Sequence, residues 1–347
     1  MTARRLPGRL RPAARRVLGA GALLLAVLLL AGCGDGAQSS FDTNSEPSRL
    51  IERLFWWMVL GAAVVFGGAV ALLAISWFRR SRSGIPLFGE REPVATTAVV
   101  TFGIVIPILT LAGLFTAANV LVMRKTNAPA PSSTSMTIEV VGRQWFWEFR
   151  YPGTDAVTAN ELHIPTQTRI NLVVQTADVI HSFWVPQLNR KIDAIPGKSN
   201  RILLYADAPG TYRGQCSEFC GLQHAHMSLR VYAEPKAQFD GWLRNEASPA
   251  PELASAEAAR GRDVFMSEAC ASCHTIRGTE ARGEVGPDLT HVGGRQTLAA
   301  LTIPNTAADM AKWITNPQAV KPGNKMPGLR LTPDETKAIV AYLQRLE

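Results

Sequence analysis

The stretch that decides the fold is Cys216-Ser-Glu-Phe-Cys220-Gly-Leu-Gln-His224-Ala-His-Met227, which places two thiols, imidazoles and a thioether in one short segment. A further histidine lies upstream in His181-Ser-Phe-Trp-Val-Pro186. Soft thiolates combined with imidazole and a weak thioether favour copper, and two thiolates can bridge two metal ions. A CxxxC zinc site is the alternative, but structural zinc rarely takes a thioether ligand. The residues therefore favour copper over zinc.

A second cofactor motif is Cys270-Ala-Ser-Cys273-His274, a CxxCH heme-attachment sequence. On a helix, positions i, i+3 and i+4 share one face, so we expect both thiols to bond one porphyrin while His274 reaches the iron. A chance CxxC followed by His is the alternative. Met326 follows a Gly/Pro-rich loop and is the expected sixth ligand, which would raise the reduction potential. The competing Met310 lies in a predicted helix, Thr306–Asn316, and is interpreted as a core residue.

The fifth cysteine, Cys33, ends Leu30-Ala-Gly-Cys33 after an arginine-rich start and the apolar run Leu23–Leu30. This arrangement is similar to a bacterial lipobox. It predicts a lipoprotein-type signal peptide over 1–32 and acylation of Cys33. An ordinary secretory signal or an uncleaved helix is the alternative, although the run is too short to span a bilayer comfortably.

The basic charge belongs mainly to this leader. Residues 1–32 hold six Arg and no acid, so their removal lowers the formal charge from +8 to +2. The high pI therefore reflects targeting, and we expect no nucleic-acid partner.

Two long apolar runs, Leu54–Phe78 and Val94–Met123, predict a transmembrane helical hairpin over 50–125. Each run is long enough to cross roughly 30 Å of hydrocarbon. The short loop from Arg79 to Arg91 is arginine-rich, which places it in the cytoplasm by the positive-inside rule. Everything after residue 124 is then exported.

The rest of the chain divides into a β part and an α part. Short runs over 136–245, separated by Gly, Pro and Asp, predict an all-β Greek-key sandwich. The runs are Thr137–Val141, Trp145–Tyr151, Glu161–Ile164, Arg169–Gln175, Arg201–Tyr205 and Ser228–Ala233. A short exit helix, Gln238–Asn245, and a linker over 246–253 follow. In residues 254–347, Ala254–Phe265 and Asp334–Leu346 look like the first and last helices of a small cytochrome c, which implies an all-α domain.

Residues 45–245 resemble subunit II of the heme–copper cytochrome c oxidases, which carries the binuclear CuA centre. The resemblance includes Gly142-Arg-Gln-Trp145-Phe-Trp147 and Lys191-Ile-Asp-Ala-Ile-Pro-Gly197. It implies a cupredoxin-like fold, with His181 on one loop and the Cys216–Met227 segment on the next. The implied copper ligands are His181, Cys216, Cys220, His224, Met227 and the carbonyl of Glu218. The family spacing selects His224 over His226.

The same resemblance assigns Trp145 to electron entry near copper, although core packing is an alternative role. It also implies that the Glu218 carboxylate binds Mg²⁺ shared with subunit I; a hard carboxylate suits that ion. Residues 254–347 resemble a small cytochrome c, and Gly286-Pro287-Asp-Leu289 resembles the cytochrome c segment whose proline flanks the proximal histidine.

Two functional hypotheses follow. The first is the electron-entry subunit of a bacterial terminal oxidase with a fused cytochrome c domain. Cytochrome c or a quinol–cytochrome c reductase would reduce heme c. Electrons would then pass to CuA and on to heme a of subunit I. Oxygen would be reduced and protons pumped in subunit I. The second is a membrane-anchored carrier outside an oxidase; a CuA-containing subunit of a nitric oxide reductase is the runner-up. The hairpin favours the first, because anchoring alone needs one lipid or one helix. Cys216 and Cys220 exclude a copper-free quinol-oxidase subunit.

Overall fold

The computed structural model describes residues 36–79, 92–128 and 134–347. The predicted signal peptide 1–32, the predicted acylation site Cys33 and residues 80–91 of the arginine-rich loop lie outside the described residues.

Both predicted spans are helical. Helix α1 covers Glu46–Arg79. The second span consists of α2 (Glu92–Val100), α3 (Ile106–Ala117) and α4 (Arg124–Thr126), joined by π-helical turns at Thr101–Val105 and Ala118–Met123. Glu46–Trp77 and Thr96–Thr126 are long and apolar enough to cross a membrane by length and composition.

The first π-helical turn ends two residues before Pro107. The Ile106 N–H bonds the carbonyl of Thr101, five residues back. Proline lacks an N–H and its ring crowds the preceding turn. A widened turn at this position accommodates the ring within a continuous helical rod.

Residues 136–234 form the predicted β-sandwich, with two five-stranded sheets. One has the order β3-β2-β1-β5-β8 and the other β4-β10-β9-β6-β7. The strands are β1 (Met136–Arg143), β2 (Phe146–Arg150), β3 (Val157–Ala159), β4 (Glu161–Pro165), β5 (Ile170–Thr176), β6 (His181–Trp184), β7 (Ile192–Ala194), β8 (Asn200–Leu204), β9 (Gly210–Cys216) and β10 (Ser228–Glu234). Alternating apolar residues of both sheets fill the core, including Trp147, Phe149 and Leu172.

The sequence missed four of these strands, β3, β6, β7 and β9, and one omission bears on the site. His181 was expected on a loop, but it is the first residue of β6, and Cys216 is the last residue of β9. The two strands pair antiparallel, with Phe183 opposite Cys216. β6 is only four residues long, and one of the two strands that it pairs with, β9, is distant in sequence, so local alternation does not reveal it.

Helix α5 (Lys236–Ala247) includes the first two residues of the predicted 246–253 linker. The Glu246 side chain is buried, so it is part of a packed helix rather than of a free tether. The remaining linker residues also contact the last domain: the Ala250 N–H bonds the Arg277 carbonyl at 2.9 Å, and Ser248 accepts a bond from His291 at 3.0 Å.

The last domain is mainly helical, as predicted. It contains α6 (Ala256–Ser267), α7 (Cys270–Cys273), α8 (Ala307–Thr315), α9 (Pro317–Val320) and α10 (Pro333–Leu343). A short antiparallel pair, β11 (Thr297–Leu298) with β12 (Ile303–Pro304), is an addition to the predicted all-α fold. Helices α6 and α10 cross at Gly261: a Cβ built there would lie 1.9 Å from the Ala338 carbonyl oxygen.

Candidate copper and heme sites

The first site lies at one end of the sandwich, where β6 begins and β9 ends. His181, Cys216 and Cys220 are buried, and their donor atoms all lie within 4.8 Å of one another. His181 Nδ1 is 3.8 Å from Cys216 Sγ, which is 3.8 Å from Cys220 Sγ. The β6–β9 pairing therefore brings together residues 35 positions apart in the chain.

The remaining predicted copper ligands surround the same two sulfurs. Cys220 Sγ is 3.7 Å from His224 Nδ1 and 3.8 Å from Met227 Sδ, and the Glu218 carbonyl oxygen is 3.2 Å from Cys216 Sγ. Ligands held tetrahedrally at roughly 2.0–2.3 Å from one ion are themselves about 3.5 Å apart. Both the chemistry and the spacing of this donor set fit a thiolate-bridged copper pair.

His226, the competing imidazole, is engaged elsewhere. Its Nδ1 is 2.8 Å from Gln223 Oε1. His224 and His226 share one 3-10 turn, His224–His226, but the contact with Cys220 belongs to His224. This geometry agrees with the ligand choice that the family spacing implied.

Each of the two thiols shifts the pKa of the other. The hydrogen bond from Cys220 lowers the pKa of Cys216 to about 3, with further help from His181, despite burial. The neighbouring Cys216 thiolate, with burial, raises the pKa of Cys220. One thiolate therefore forms readily in this pocket. Metal ligation requires both cysteines to be deprotonated, and the positive charge of a bound cation would stabilise the second thiolate.

Asp178 orients His181, a role that sequence reasoning missed. His181 Nε2 donates to Asp178 Oδ1 at 2.8 Å, which leaves Nδ1 facing the cysteines. Burial raises the pKa of Asp178, but the bonds from His181 and from the Gln144 and Val179 N–H groups outweigh it and bring it to about 2. A carboxylate on the outer ring nitrogen fixes the tautomer of a metal-binding histidine.

Trp145 lies against the Cys216–Met227 segment. Its indole Nε1 donates to the Cys220 carbonyl at 3.0 Å, and Gln144 Nε2 donates to the same oxygen at 2.8 Å. The sequence placed Trp145 within a strand, but β2 begins at Phe146 and Trp145 belongs to the preceding turn. The side chain is 9% exposed and bonds the Cys220 backbone, so it is both well packed and adjacent to the candidate copper ligands.

The second site is a cavity in the last domain. Its walls include the five predicted or competing heme-binding residues, Cys270, Cys273, His274, Met310 and Met326. Apolar side chains complete the walls, among them Phe265, Leu289, Ile314, Ile339 and Leu343. A cavity with two thiols, an imidazole and a thioether on apolar walls suits a porphyrin.

His274 is oriented by the segment that the sequence singled out. Its Nδ1 donates to the Pro287 carbonyl at 2.8 Å, which leaves Nε2 for the iron. A Cβ at Gly286 would lie 2.4 Å from the His274 ring, so only glycine allows this approach. The expected shared helix face is wrong in detail: α7 ends at Cys273, and His274 is extended, with φ −114° and ψ 143°.

Arg295, missed by the sequence analysis, also fits a heme. It lines the cavity, and its Nε is buried without a hydrogen-bond partner among the described residues. Heme carries two propionate carboxylates, and a guanidinium is the side chain best suited to bind them. A single arginine with no motif around it does not indicate a propionate-binding role in the sequence.

The two methionines differ in their surroundings. Met310 is 2% exposed in the hydrophobic core of the domain, on the helix that the sequence predicted, and its sulfur lies 4.0 Å from Gln344 Nε2. Met326 lies in a loop held by Asn324, whose side-chain oxygen accepts the Met326 N–H at 2.7 Å. Because both line the cavity, the choice of Met326 as axial ligand stays a prediction.

Comparisons with known proteins agree with this division into two domains. Residues 154–233 match the family described as cytochrome c oxidase subunit II, periplasmic domain, and residues 258–347 match the family described as cytochrome c. These matches imply CuA copper in the first domain and heme in the second.

Two relatives align with nearly the whole length of this chain. The chain is 31% identical to cytochrome c oxidase subunit 2 of Alkalihalophilus pseudofirmus, over 92% of this chain and 94% of the relative. It is 30% identical to the Bacillus subtilis protein of the same name, over 94% and 96%. The periplasmic domain of subunit II of cytochrome oxidase from Bradyrhizobium japonicum is 32% identical over 34% of this chain and 96% of that one, with a TM-score of 0.33.

The protein is thus a membrane-anchored electron-transfer protein with a cupredoxin-like domain and a cytochrome c domain. The chain belongs to the cytochrome c oxidase subunit 2 family. As a subunit II it associates with subunit I and the other oxidase subunits.

Proposed function

We propose that this chain is the electron-entry subunit of a bacterial heme–copper terminal oxidase, receiving electrons at a covalent heme c and delivering them through CuA to subunit I. One observation carries this proposal. Trp145 bonds the Cys220 carbonyl in the copper site and at the same time lines the heme cavity. The two sites therefore share a wall, which suits direct electron transfer between them.

Each proposed ligand has a role in holding its group. His181, Cys216, Cys220, His224, Met227 and the Glu218 carbonyl would hold the copper pair, and Cys270, Cys273, His274 and Met326 the heme. Thiolate-bridged copper shares one electron between two ions, and a His/Met-ligated heme exchanges electrons without an open position for oxygen. Oxygen reduction and proton pumping are assigned to subunit I. Cytochrome c or a quinol–cytochrome c reductase is the proposed donor.

The location proposed is the bacterial plasma membrane, crossed by both apolar helices, with the copper and heme domains outside the cytoplasm. Covalent heme attachment, which occurs on that side, agrees with this topology. Acylation of Cys33 stays a prediction, as does a Mg²⁺ ion at the exposed carboxylate of Glu218, whose further ligands would come from subunit I.

Copper loading of the purified full chain tests the copper assignment. We expect the hyperfine-split EPR signal of a mixed-valence copper pair, because two thiolate bridges allow one unpaired electron to be shared. Cys216→Ser or Cys220→Ser should abolish that signal, whereas His226→Asn should leave it intact. Binding of a single zinc ion without the signal would contradict the proposal. In the purified oxidase, turnover of O2 rather than nitric oxide separates this function from that of a nitric oxide reductase subunit.

A further inference from the structure

The boundary between the copper and cytochrome domains contains two buried charged side chains that cross it in opposite directions. The first is Glu161 of β4, which is 3% exposed. Its carboxylate accepts the backbone N–H groups of Gln296 at 3.1 Å and of Thr297 at 2.9 Å, and the Thr297 hydroxyl at 2.9 Å. A carboxylate of the copper domain is thus satisfied by donors of the cytochrome domain.

The second is Lys321, which follows α9 in the cytochrome domain and is also 3% exposed. Its Nζ donates to the carbonyls of Trp145 and His226 in the copper domain, both at 2.9 Å, and to that of Ala299 at 3.3 Å. An ammonium group has three N–H donors, and here each one has an acceptor. The lysine also lines the heme cavity, next to the Trp145 turn.

Smaller contacts surround Lys321. Gln223 of the copper domain donates to the Pro322 carbonyl. Lys325, beside the proposed ligand Met326, lies 3.8 Å from Asp178, which orients His181. The loop that carries the heme-ligand candidate therefore contacts the copper domain close to the Cys216–Met227 segment.

Burial of a charge costs several kcal/mol unless its hydrogen bonds are replaced. Glu161 and Lys321 find their full sets of partners in the docked orientation. A shifted or rotated docking would bury one or both without partners, whereas separation would return them to water. Such pairs contribute to the choice of orientation more than to affinity.

Building on the proposed function, we propose that Glu161 and Lys321 are paired positioning residues that fix the cytochrome domain in the one orientation that keeps Trp145 in the wall of the heme cavity. They act through the domain interface and do not bind either cofactor. Their removal should therefore change the rate of electron transfer between the sites while both sites remain loaded.

The test uses the full chain loaded with copper and heme, in detergent, with heme c reduced by a flash and copper reduction followed optically. We compare wild type with Glu161→Gln, Lys321→Met and the double variant. The control is Lys312→Met, which removes an exposed lysine that pairs with Asp309 on the surface of the same domain. Heme absorption and the copper EPR signal show that each variant is loaded.

We expect transfer in the wild type and in the control to be independent of solvent viscosity, because the domains are already docked. The double variant should be slower, on the order of tenfold or more, because the docked orientation loses its buried charged contacts. Its rate should also fall as glycerol is added, because productive docking must then be found by diffusion. Wild-type rates at every viscosity in the double variant would overturn the proposal.

Amide hydrogen exchange provides a second measurement that is independent of electron transfer. The Gln296 and Thr297 amides are bonded to Glu161 across the boundary, so either single variant should accelerate their exchange, including Lys321→Met, which does not touch them. Unchanged exchange in Lys321→Met would also overturn the proposal. If the loaded wild-type chain shows no internal electron transfer, the proposed function fails, and exchange still reports on the two positioning residues.

Discussion

At the scale of single residues, the proposed copper ligand His181 depends on a carboxylate that is not itself a candidate ligand. Asp178 accepts a bond from His181 Nε2 at 2.8 Å and from the Gln144 N–H at 2.7 Å. It therefore fixes the imidazole and joins it to the turn that carries Trp145.

Asp178→Asn should weaken copper binding by about 10-fold or more, the usual effect of removing a partner of a metal-binding histidine. The amide has no charge and can present its NH2 group to the ring, which disfavours the tautomer with a free Nδ1. Copper titration of the chain followed by EPR measures the change. Asp309→Asn, at a partly exposed carboxylate of the cytochrome domain, is the matched control, and equal losses in the two variants would contradict the role of Asp178.

Met326→Ala should open the heme iron, because the loop that presents its thioether lines the cavity and Met310 is packed in the core. We expect loss of the near-infrared sulfur-to-iron band and binding of carbon monoxide to the reduced heme. Met310→Ala should retain that band and instead lower the free energy of unfolding by about 2–5 kcal/mol. The reverse pattern would show Met310 to be the ligand.

At the scale of elements, the close packing of α6 against α10 fixes the relative positions of the two terminal helices of the heme domain. Gly261 allows the two helices to touch, because the Ala338 carbonyl occupies the space a side chain would need. This is the pair of terminal helices that the resemblance to a small cytochrome c implied.

Gly261→Ala should destabilise the heme domain by about 1–3 kcal/mol or more, because the added carbon overlaps backbone that cannot move alone. Thermal unfolding of the full chain, followed by the heme absorption, measures this loss. Gly241→Ala in α5 is the control, since the nearest atom there, on Arg244, is 4.0 Å from the new carbon. That change should be neutral or stabilising, because alanine favours a helix over glycine. Equal losses of stability at the two glycines would show that the close helix crossing does not explain the effect at Gly261.

At the scale of the whole molecule, the arrangement of the two domains suits the proposed electron transfer within one chain. Part of the heme cavity wall comes from the copper domain, through Gln144, Trp145 and Phe146. The tether that joins the domains contacts the cytochrome domain at Ala250.

After flash reduction of heme c, copper should therefore be reduced at a rate that does not depend on protein concentration. Trp145→Ala should slow this step while both cofactors stay bound, because the indole lies between the two sites. A rate proportional to concentration would mean that transfer occurs between molecules. Loss of copper in Trp145→Ala would show that the residue serves mainly in packing, through its bond to the Cys220 carbonyl.

The sequence by itself determined the two spans, the β-sandwich, the helical last domain and most of the candidate ligands. These features are local: the Cys216–Met227 and Cys270–His274 motifs are contiguous, and apolar runs and strand alternation repeat within short windows. Predictions from local patterns were wrong at positions where contacts with other segments of the chain set the backbone conformation. His181 lies in β6 because that strand pairs with β7, where Ala194 is opposite His181, and with β9. His274 leaves the helix because Pro287 and Gly286 hold its ring.

Only the tertiary structure decided how the two sites meet. Glu161 and Thr297 are 136 positions apart, and Lys321 and Trp145 are 176 apart. No motif marks these residues. From the sequence alone, an isolated carboxylate or lysine is expected to be a solvated surface charge, and only the contact with the opposite domain shows that it is buried. Burial and hydrogen-bond partners come from chain segments that folding brings together, and they turn these ordinary charges into contacts that fix the orientation of the domains.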